Sequence, residues 1–266
     1  MCPDAENSKS FDLFLSARKH TKISIIVPVY NEGTQILGNL NLLLQEVEPY
    51  FDDFEVIVVS DGSTDETNHQ LKQFQHPKIR SILLDHNRGK GYAIRRGFFE
   101  AKGEYILFID GGMELHPREI RFFFGLLSLY DADLVIGSKR HPQSQVEYPW
   151  ARKILSLIYQ FLIMFFFDLD VTDTQVGMKL FKRQVVEAIR DDLSVDRYGM
   201  DLELLALAKM RGFSNMLEAP IRMDYLGKSG RTGIQEYFHI LKVGTHVLTD
   251  TFKVYLKLKR LRRQTA

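Results

Sequence analysis

Cysteine is almost missing from this 266-residue chain, Cys2 being the single one. A disulfide framework and any cysteine-based zinc site are therefore excluded, and a reducing setting is expected. Long apolar runs are missing too. The most apolar stretch, ILSLIYQFLIMFFF from Ile154 to Phe167, is broken by Ser156 and Gln160 and falls short of the about 20 residues that span a bilayer. It reads either as a core helix or as a helix lying at a membrane surface. The polar start MCPDAENSKS has no apolar h-region, so no secretory signal is expected. Neither G-x-G-x-x-G nor G-x-x-x-x-G-K-[ST] occurs, which argues against a dinucleotide dehydrogenase and a P-loop NTPase.

An excess of either charge is also absent, with 35 Lys and Arg against 34 Asp and Glu. The balance hides an asymmetry. Lys253, Lys257, Lys259, Arg260, Arg262 and Arg263 follow Asp250 with no acidic residue among them, and without those six the chain has 29 basic against 34 acidic residues. No nucleic-acid-binding face is expected from such a body, whereas the tail suits anionic phosphate or lipid headgroups. Hydrophobic residues at 45% and charged residues at 26% are ordinary globular values.

From Ile23 onward, β-branched runs alternate with helical patterns. ISIIVPV (Ile23 to Val29), EVIVVS (Glu55 to Ser60), IRSILL (Ile79 to Leu84), EYILFID (Glu104 to Asp110) and ADLVIGS (Ala132 to Ser138) read as strands. Between them, Ile36, Leu37, Leu40, Leu43, Leu44 and Val47 recur at helical spacing, and DGSTDE opens a helix that Ser63 or Thr64 can cap. Further helices are expected over Tyr92 to Lys102 and from about Pro117. This alternation predicts an α/β chain with right-handed crossovers and a largely parallel sheet carrying helices on both faces. Near the end, Ile234, Tyr237, Phe238, Leu241, Leu248, Phe252 and Tyr255 line one face of a long amphipathic helix that runs into the basic tail. That pattern fits packing against the body, and it also fits an interfacial anchor.

Ligands of parallel α/β sheets bind beyond the carboxyl ends of the strands. Those turns read Pro28-Val29-Tyr30-Asn31-Glu32, Asp61-Gly62-Ser63-Thr64-Asp65, Arg88-Gly89-Lys90-Gly91 and Asp110-Gly111-Gly112-Met113-Glu114. One aromatic, several carboxylates and a Gly-rich basic loop suit a base, a ribose and a diphosphate with a hard metal held through oxygen at Asp110. Singly, each is weak: an Asp after a strand is most often a helix cap, and Gly-Lys-Gly is most often a turn.

Taken together, IIVPVYNE, VIVVSDGSTDET, HNRGKGYAIRRGFFEAKGEYILFID and DTQVGMKLFKR stand in the order and spacing of the family 2 glycosyltransferases. The chain resembles their polyprenyl-phosphate sugar synthases, the dolichyl-phosphate glucose and mannose synthases, over about Ile23 to Gly230. The resemblance implies a GT-A fold, which is Rossmann-like with a mostly parallel sheet flanked by helices, here followed by C-terminal amphipathic helices. The expected organisation is a polar extension over 1–20, the GT-A domain over 21–232, and an amphipathic helix with a basic tail over 233–266. It further implies a nucleotide-diphosphate sugar donor of the UDP-glucose or GDP-mannose type, Mg²⁺ or Mn²⁺, and an inverting transfer.

Residue by residue, Pro28, Tyr30 and Glu32 resemble the wall around the donor base, Asp61 a contact to base or ribose, and Lys90 a basic loop at the donor. Asp110 matches the first carboxylate of the Asp-x-Asp metal motif. Asp173 resembles an acidic residue on the acceptor side, Asp201 and Glu203 lie nearest the family's later acidic positions, and Arg222, Lys228, Ser229 and Arg231 resemble a basic loop closing on the diphosphate. The chain departs from the family at Gly112, where the second aspartate is expected. Glu114, two residues on, can face the same side as Asp110 in an extended turn and complete a metal pair. The implied acceptor is a polyprenyl phosphate at the cytoplasmic face of a membrane, with the protein bound peripherally. A glycan or small-molecule hydroxyl is the alternative, which would call on Asp173 or Asp201 as base, and a non-catalytic sugar-nucleotide binder is another, motivated by Gly112.

Overall fold

The run ISIIVPV forms a strand in which all seven residues are buried, as expected where both faces of a sheet are covered. A computed structural model describes residues 20–146, 160, 163, 166–197, 199–223 and 234–265, with side chains over 246–263 in the last segment. Its strands are β1 (Ile23–Val29), β2 (Phe54–Ser60), β3 (Ile79–Leu83), β4 (Tyr105–Ile109), β5 (Leu134–Ser138), β6 (Gln145–Val146), β7 (Met178–Lys182), β8 (Met216–Pro220) and β9 (Arg222–Met223). The α-helices are α1 (Ile36–Val47), α2 (Thr67–Gln73), α3 (Lys90–Glu100), α4 (Glu119–Leu129), α5 (Arg183–Ile189), α6 (Met200–Met210) and α7 (Ile234–Thr265).

Seven strands make one sheet in the order β3-β2-β1-β4-β7-β5-β8. All neighbours are parallel except β7, which runs antiparallel to both β4 and β5. β6 and β9 form a separate two-stranded parallel ribbon. The largely parallel sheet expected from the alternation is present, and so are the five strands, each within a few residues of its expected bounds.

Strand alternation divides the core. Ile25 and Val27 of β1 join Val56, Val58, Ile36, Leu40, Leu43, Phe123 and Phe124 on the side covered by α1 and α4. Ile26 points the other way and packs with Ile57, Ala93, Phe98, Phe108 and Phe181 under α3, α5 and α6. α3 lies so close to β1 that a Cβ at Gly97 would stand 2.5 Å from Ile26 Cγ2.

Two local expectations need correction. Neither Ser63 nor Thr64 caps α2. The Asn31 amide donates to Ser63 Oγ and the Thr64 amide to Asn31 Oδ1, while the Thr67 amide and hydroxyl donate to Asp65 Oδ1. The turn after β1 thus competes successfully for the capping hydroxyls. The apolar face of α7 is also displaced. Val254 and Leu258 are buried beside Asp250 and Thr251, whereas Leu248, Phe252 and Leu256 are 50%, 61% and 49% exposed; Ile234, Tyr237, Phe238 and Leu241 have side chains outside the described residues. Of the Ile154 to Phe167 stretch, Ile163 and Phe167 belong to the core and Phe166 is exposed beside Tyr255 of α7.

Polar contacts set the rotation of α7. The fully buried carboxylate of Glu203 accepts from the Ser194 and Val195 amides, the Ser194 hydroxyl, and Lys257 Nζ at 2.6 Å. An unpaired buried charge is far more costly than an exposed leucine, so Lys257 must face inward and Leu248, Phe252 and Leu256 turn out. Glu203→Ala is expected to lower the unfolding free energy by about 3 kcal/mol by leaving Lys257 without its counter-ion and two amides without their acceptor. Urea denaturation followed by circular dichroism measures it, and a loss below about 1 kcal/mol would show that Glu203 does not hold α7.

Candidate active site

Beyond the carboxyl ends of β1, β2 and β4 lies a cleft of about 720 Å³. Pro28, Tyr30, Glu32, Asp61, Lys90, Asp110, Glu114 and Asp201, all expected from the sequence, line it together, joined by Gln175, Arg197 and Val247. Asp173 lines a small adjoining pocket with Arg140, Thr172 and Gln175, so only Gln175 touches both spaces. Arg222 lies on β9, and Lys228, Ser229 and Arg231 are outside the described residues.

The basic loop is fixed from below. Asp61, nearly buried, accepts the Arg88 amide on one carboxylate oxygen at 2.8 Å and the Gly89 amide on the other at 2.7 Å. Gly89 has φ near 110°, and a Cβ there would stand 2.2 Å from the Asp196 carbonyl; only glycine fits. The Gly91 amide donates to that same carbonyl at 2.8 Å. These contacts present Lys90 at the first turn of α3, with its ammonium 2.7 Å from Asp110 Oδ1. Asp61 therefore spends both oxygens on positioning the loop.

Asp110 is fixed from the side of β7. Its amide donates to the Gly177 carbonyl at 3.0 Å, and its carboxylate lies against the Gly177 Cα, where a Cβ would come within 2.1 Å of Oδ2. Behind it sits Lys179, wholly buried, donating to Asp201 Oδ1 at 2.5 Å and to the Val176 carbonyl at 2.8 Å. Burial pushes the Lys179 amine below the ordinary lysine range, against the pull of Asp201. Crowding opposes the charge on Lys90 too, but Asp110, followed by Asp201, holds that ammonium above its ordinary range. Asp173 is also engaged: its oxygens accept from the Lys139 and Gln175 amides at 3.1 and 3.0 Å.

With this arrangement in view, the comparisons are decisive on family. The sequence profile of glycosyl transferase family 2 matches residues 24–190. This chain belongs to glycosyl transferase family 2. The human dolichyl-phosphate beta-glucosyltransferase is 34% identical over 205 residues, covering 71% of this chain and 63% of that protein. The Drosophila melanogaster dolichyl-phosphate beta-glucosyltransferase is 34% identical over 224 residues, covering 78% and 65%. Glycosyltransferase AglD of Haloferax volcanii is 28% identical over 92% of this chain and 39% of its own length. The chain thus spans less than two thirds of each of these relatives. A crystal structure of glucosyl-3-phosphoglycerate synthase from Mycobacterium tuberculosis, in complex with Mn²⁺, UDP and phosphoglyceric acid, superposes with a TM-score of 0.67 at 19% identity, covering 92% of this chain and 82% of that one. It shows the fold: a mixed α/β sheet of the GT-A kind.

Does this family 2 cleft suit a divalent cation? Asp110 Oδ1 is sealed from solvent, and its partner is the Lys90 ammonium at 2.7 Å. Asp110 and Glu114 line the cleft together, and oxygen donors of this kind suit Mg²⁺ or Mn²⁺. Among the described residues no group of three His, Cys, Asp or Glu side chains that could hold a metal ion by itself is present, and this pair of carboxylates fits a cation that takes further oxygens from elsewhere.

Sequence reasoning missed Lys179 and Arg197. A lysine at the second position of MKLFK reads as a solvent-facing strand residue, and its partners Asp201 and the Val176 carbonyl explain its burial. Gly177 was legible only as part of a motif; its role comes from Asp110 lying against it. Gly177→Ala is expected to displace the Asp110 carboxylate and weaken binding of UDP with Mn²⁺ at least about tenfold, with the fold retained by circular dichroism. Titration calorimetry reads the loss, and unchanged affinity would show that Asp110 takes no part in that binding.

Proposed function

We propose that this family 2 chain is an inverting hexosyltransferase that moves glucose from a nucleotide-diphosphate sugar to a polyprenyl phosphate at a membrane surface. The observation that carries this reading is the single cleft that gathers Tyr30 and Glu32, Lys90, Asp110, Glu114 and Asp201 at the strand ends. In it a base can lie against Pro28 and Tyr30, and a diphosphate can reach the Lys90 ammonium. Glucose is favoured over mannose because the human and fly relatives are named dolichyl-phosphate beta-glucosyltransferases.

Attack on the anomeric carbon expels a nucleoside diphosphate, whose new negative charge must be met. A divalent cation held by Asp110 and Glu114 would supply Lewis-acid neutralisation of that leaving group. Lys90 adds a fixed positive charge, and Lys228, Ser229 and Arg231 belong to the loop assigned to close over the diphosphate. Asp201 and Asp173 help choose the acceptor. Asp201 Oδ1 is bound to the Lys179 ammonium and both oxygens of Asp173 to amides, so these three oxygens are already engaged within the protein. An acceptor that brings its own charge suits such a site, and a phosphate monoester, with a second pKa of about 6, is largely dianionic at neutral pH. In this reading Asp201 and Asp173 orient groups around the acceptor and the cleft wall.

The outer face of α7 supports a peripheral position on an anionic, cytoplasmic leaflet. Leu248, Phe252 and Leu256 recur every four residues on the exposed side, with Lys253, Lys259 and Arg260 exposed beside them. Among the described residues no helix is long and apolar enough to cross a membrane. Each basic residue near such a surface contributes about 1 kcal/mol. Replacing Leu248, Phe252 and Leu256 together by Ser is expected to reduce cosedimentation with phosphatidylserine vesicles at least about tenfold; unchanged sedimentation would remove α7 from the membrane contact.

Activity is tested by offering UDP-glucose or GDP-mannose with polyprenyl phosphate or free polyprenol in the same vesicles. Glucose transfer from UDP-glucose to the phosphate alone is expected, with rates falling as pH drops below about 6 and the acceptor protonates. Transfer to the alcohol and not the phosphate would overturn the acceptor assignment. Nucleotide binding without transfer to any acceptor would establish the non-catalytic reading to which Gly112 points.

A further inference from the structure

We infer that the Lys90 ammonium and the divalent cation contend for the same carboxylate, Asp110, so that cation binding is coupled to nucleoside-diphosphate binding through the release of Lys90. The inference rests on the donor reading of the cleft given above and goes beyond it by assigning Lys90 a second partner.

Three observations carry it. First, neither side of the Lys90 to Asp110 pair can drift away as a unit. The loop under Lys90 is held by both oxygens of Asp61 and by the Asp196 carbonyl, and the Asp110 carboxylate is backed by the Gly177 Cα. Only the flexible stem of Lys90 is free to move. Secondly, Lys90 Nζ already stands 2.7 Å from Asp110 Oδ1. A cation ligated by that oxygen would sit at about 2.0–2.6 Å from it, and two positive centres crowded on one oxygen repel. Thirdly, Gly112, two residues on from Asp110, lines the cleft without a side chain that a cation could use. Glu114 offers one two residues further on, but Asp110 remains shared.

The surrounding charges do not remove the conflict. Lys179 is a further buried ammonium close to Lys90, and its partner is Asp201. Asp110 is therefore the acid that a cation and Lys90 both need. A diphosphate resolves this by offering Lys90 other oxygens and by supplying ligands to the cation. Cation and nucleotide thereby favour each other's binding, a reciprocal coupling.

The test is a titration of Mn²⁺ into the full chain, with free Mn²⁺ read by electron paramagnetic resonance, in the absence and presence of UDP. Lys90→Gln is expected to tighten Mn²⁺ binding without UDP by about 5- to 50-fold and to shrink the factor by which UDP improves it. Lys90→Arg keeps the charge and is expected to behave as the unsubstituted chain, while Asp110→Asn loosens Mn²⁺ in every condition. If Asp110→Asn loosens Mn²⁺ but Lys90→Gln leaves it unchanged or weaker, the cation site stands and the contention is wrong. If Asp110→Asn has no effect, the cation is not at Asp110 and both readings fall. Lys90→Met replaces Lys90→Gln, with the same expected outcomes, should thermal melting show that the amide disturbs folding.

Discussion

Asp110 can stand on the floor of the cleft because residue 177 has no side chain. The contact between that carboxylate and the Gly177 Cα exists only because β7 runs antiparallel between β4 and β5. Reversing one strand brings its start beside the carboxyl end of β4, so two stretches 67 positions apart in the chain become one surface. The same reversal places Lys179 two residues along β7, where it points into the core under the cleft and meets Asp201 at the first turn of α6.

The charges of the site form a set of local pairs. Lys90 faces Asp110, Lys179 faces Asp201, and Lys139 lies near Asp173. Pairing lets a crowded group of ions share a partly buried space, and it also means that an incoming ligand must exchange partners rather than fill a gap. A diphosphate suits such an exchange because it carries several oxygens and can satisfy an ammonium and a cation together. Asp61, which also lines the cleft, uses both its oxygens on the backbone of the loop and so fixes the height of Lys90 above the strand ends.

Strands β1, β2, β4 and β5 were legible in the sequence because burial on both faces leaves near-continuous β-branched runs. The turns after β1, β2, β3 and β4 were legible as motifs, and seven of the candidate site residues named from them line one cleft together with Asp201. β7 was harder. MKLFK carries a lysine at its second position, and nothing local shows that Asp201, 22 residues later, makes that lysine an interior residue. Asp173 is legible only as the acid that opens DTQVG; that its carboxylate accepts the Gln175 amide and lines the smaller pocket depends on the folded turn. The α7 face was misread for a related reason. Leu248, Phe252 and Tyr255 fit a helical stripe as well as Val254 and Leu258 do, and hydropathy cannot rank them; the buried Glu203 can, through Lys257.

That polar choice has a consequence on the outside. With Lys257 drawn inward, α7 buries Val254 and Leu258 against the body and holds Asp250 near the amide of Gly199, the residue that precedes α6. Val247, one turn earlier, reaches the cleft wall, and its neighbour Leu248 points outward at the head of the exposed stripe. Successive residues on a helix point about 100° apart and rise by about 1.5 Å. The cleft rim and the start of the apolar stripe are therefore adjacent by construction, both set by the single rotation that Glu203 imposes. In the proposed function this adjacency would let a lipid acceptor stay at a surface facing Leu248, Phe252 and Leu256 while its phosphate enters beside Val247. A helix turned to bury Leu248 and Phe252 instead would bring Lys257 out, take from Glu203 its counter-ion, and separate the rim from any apolar surface.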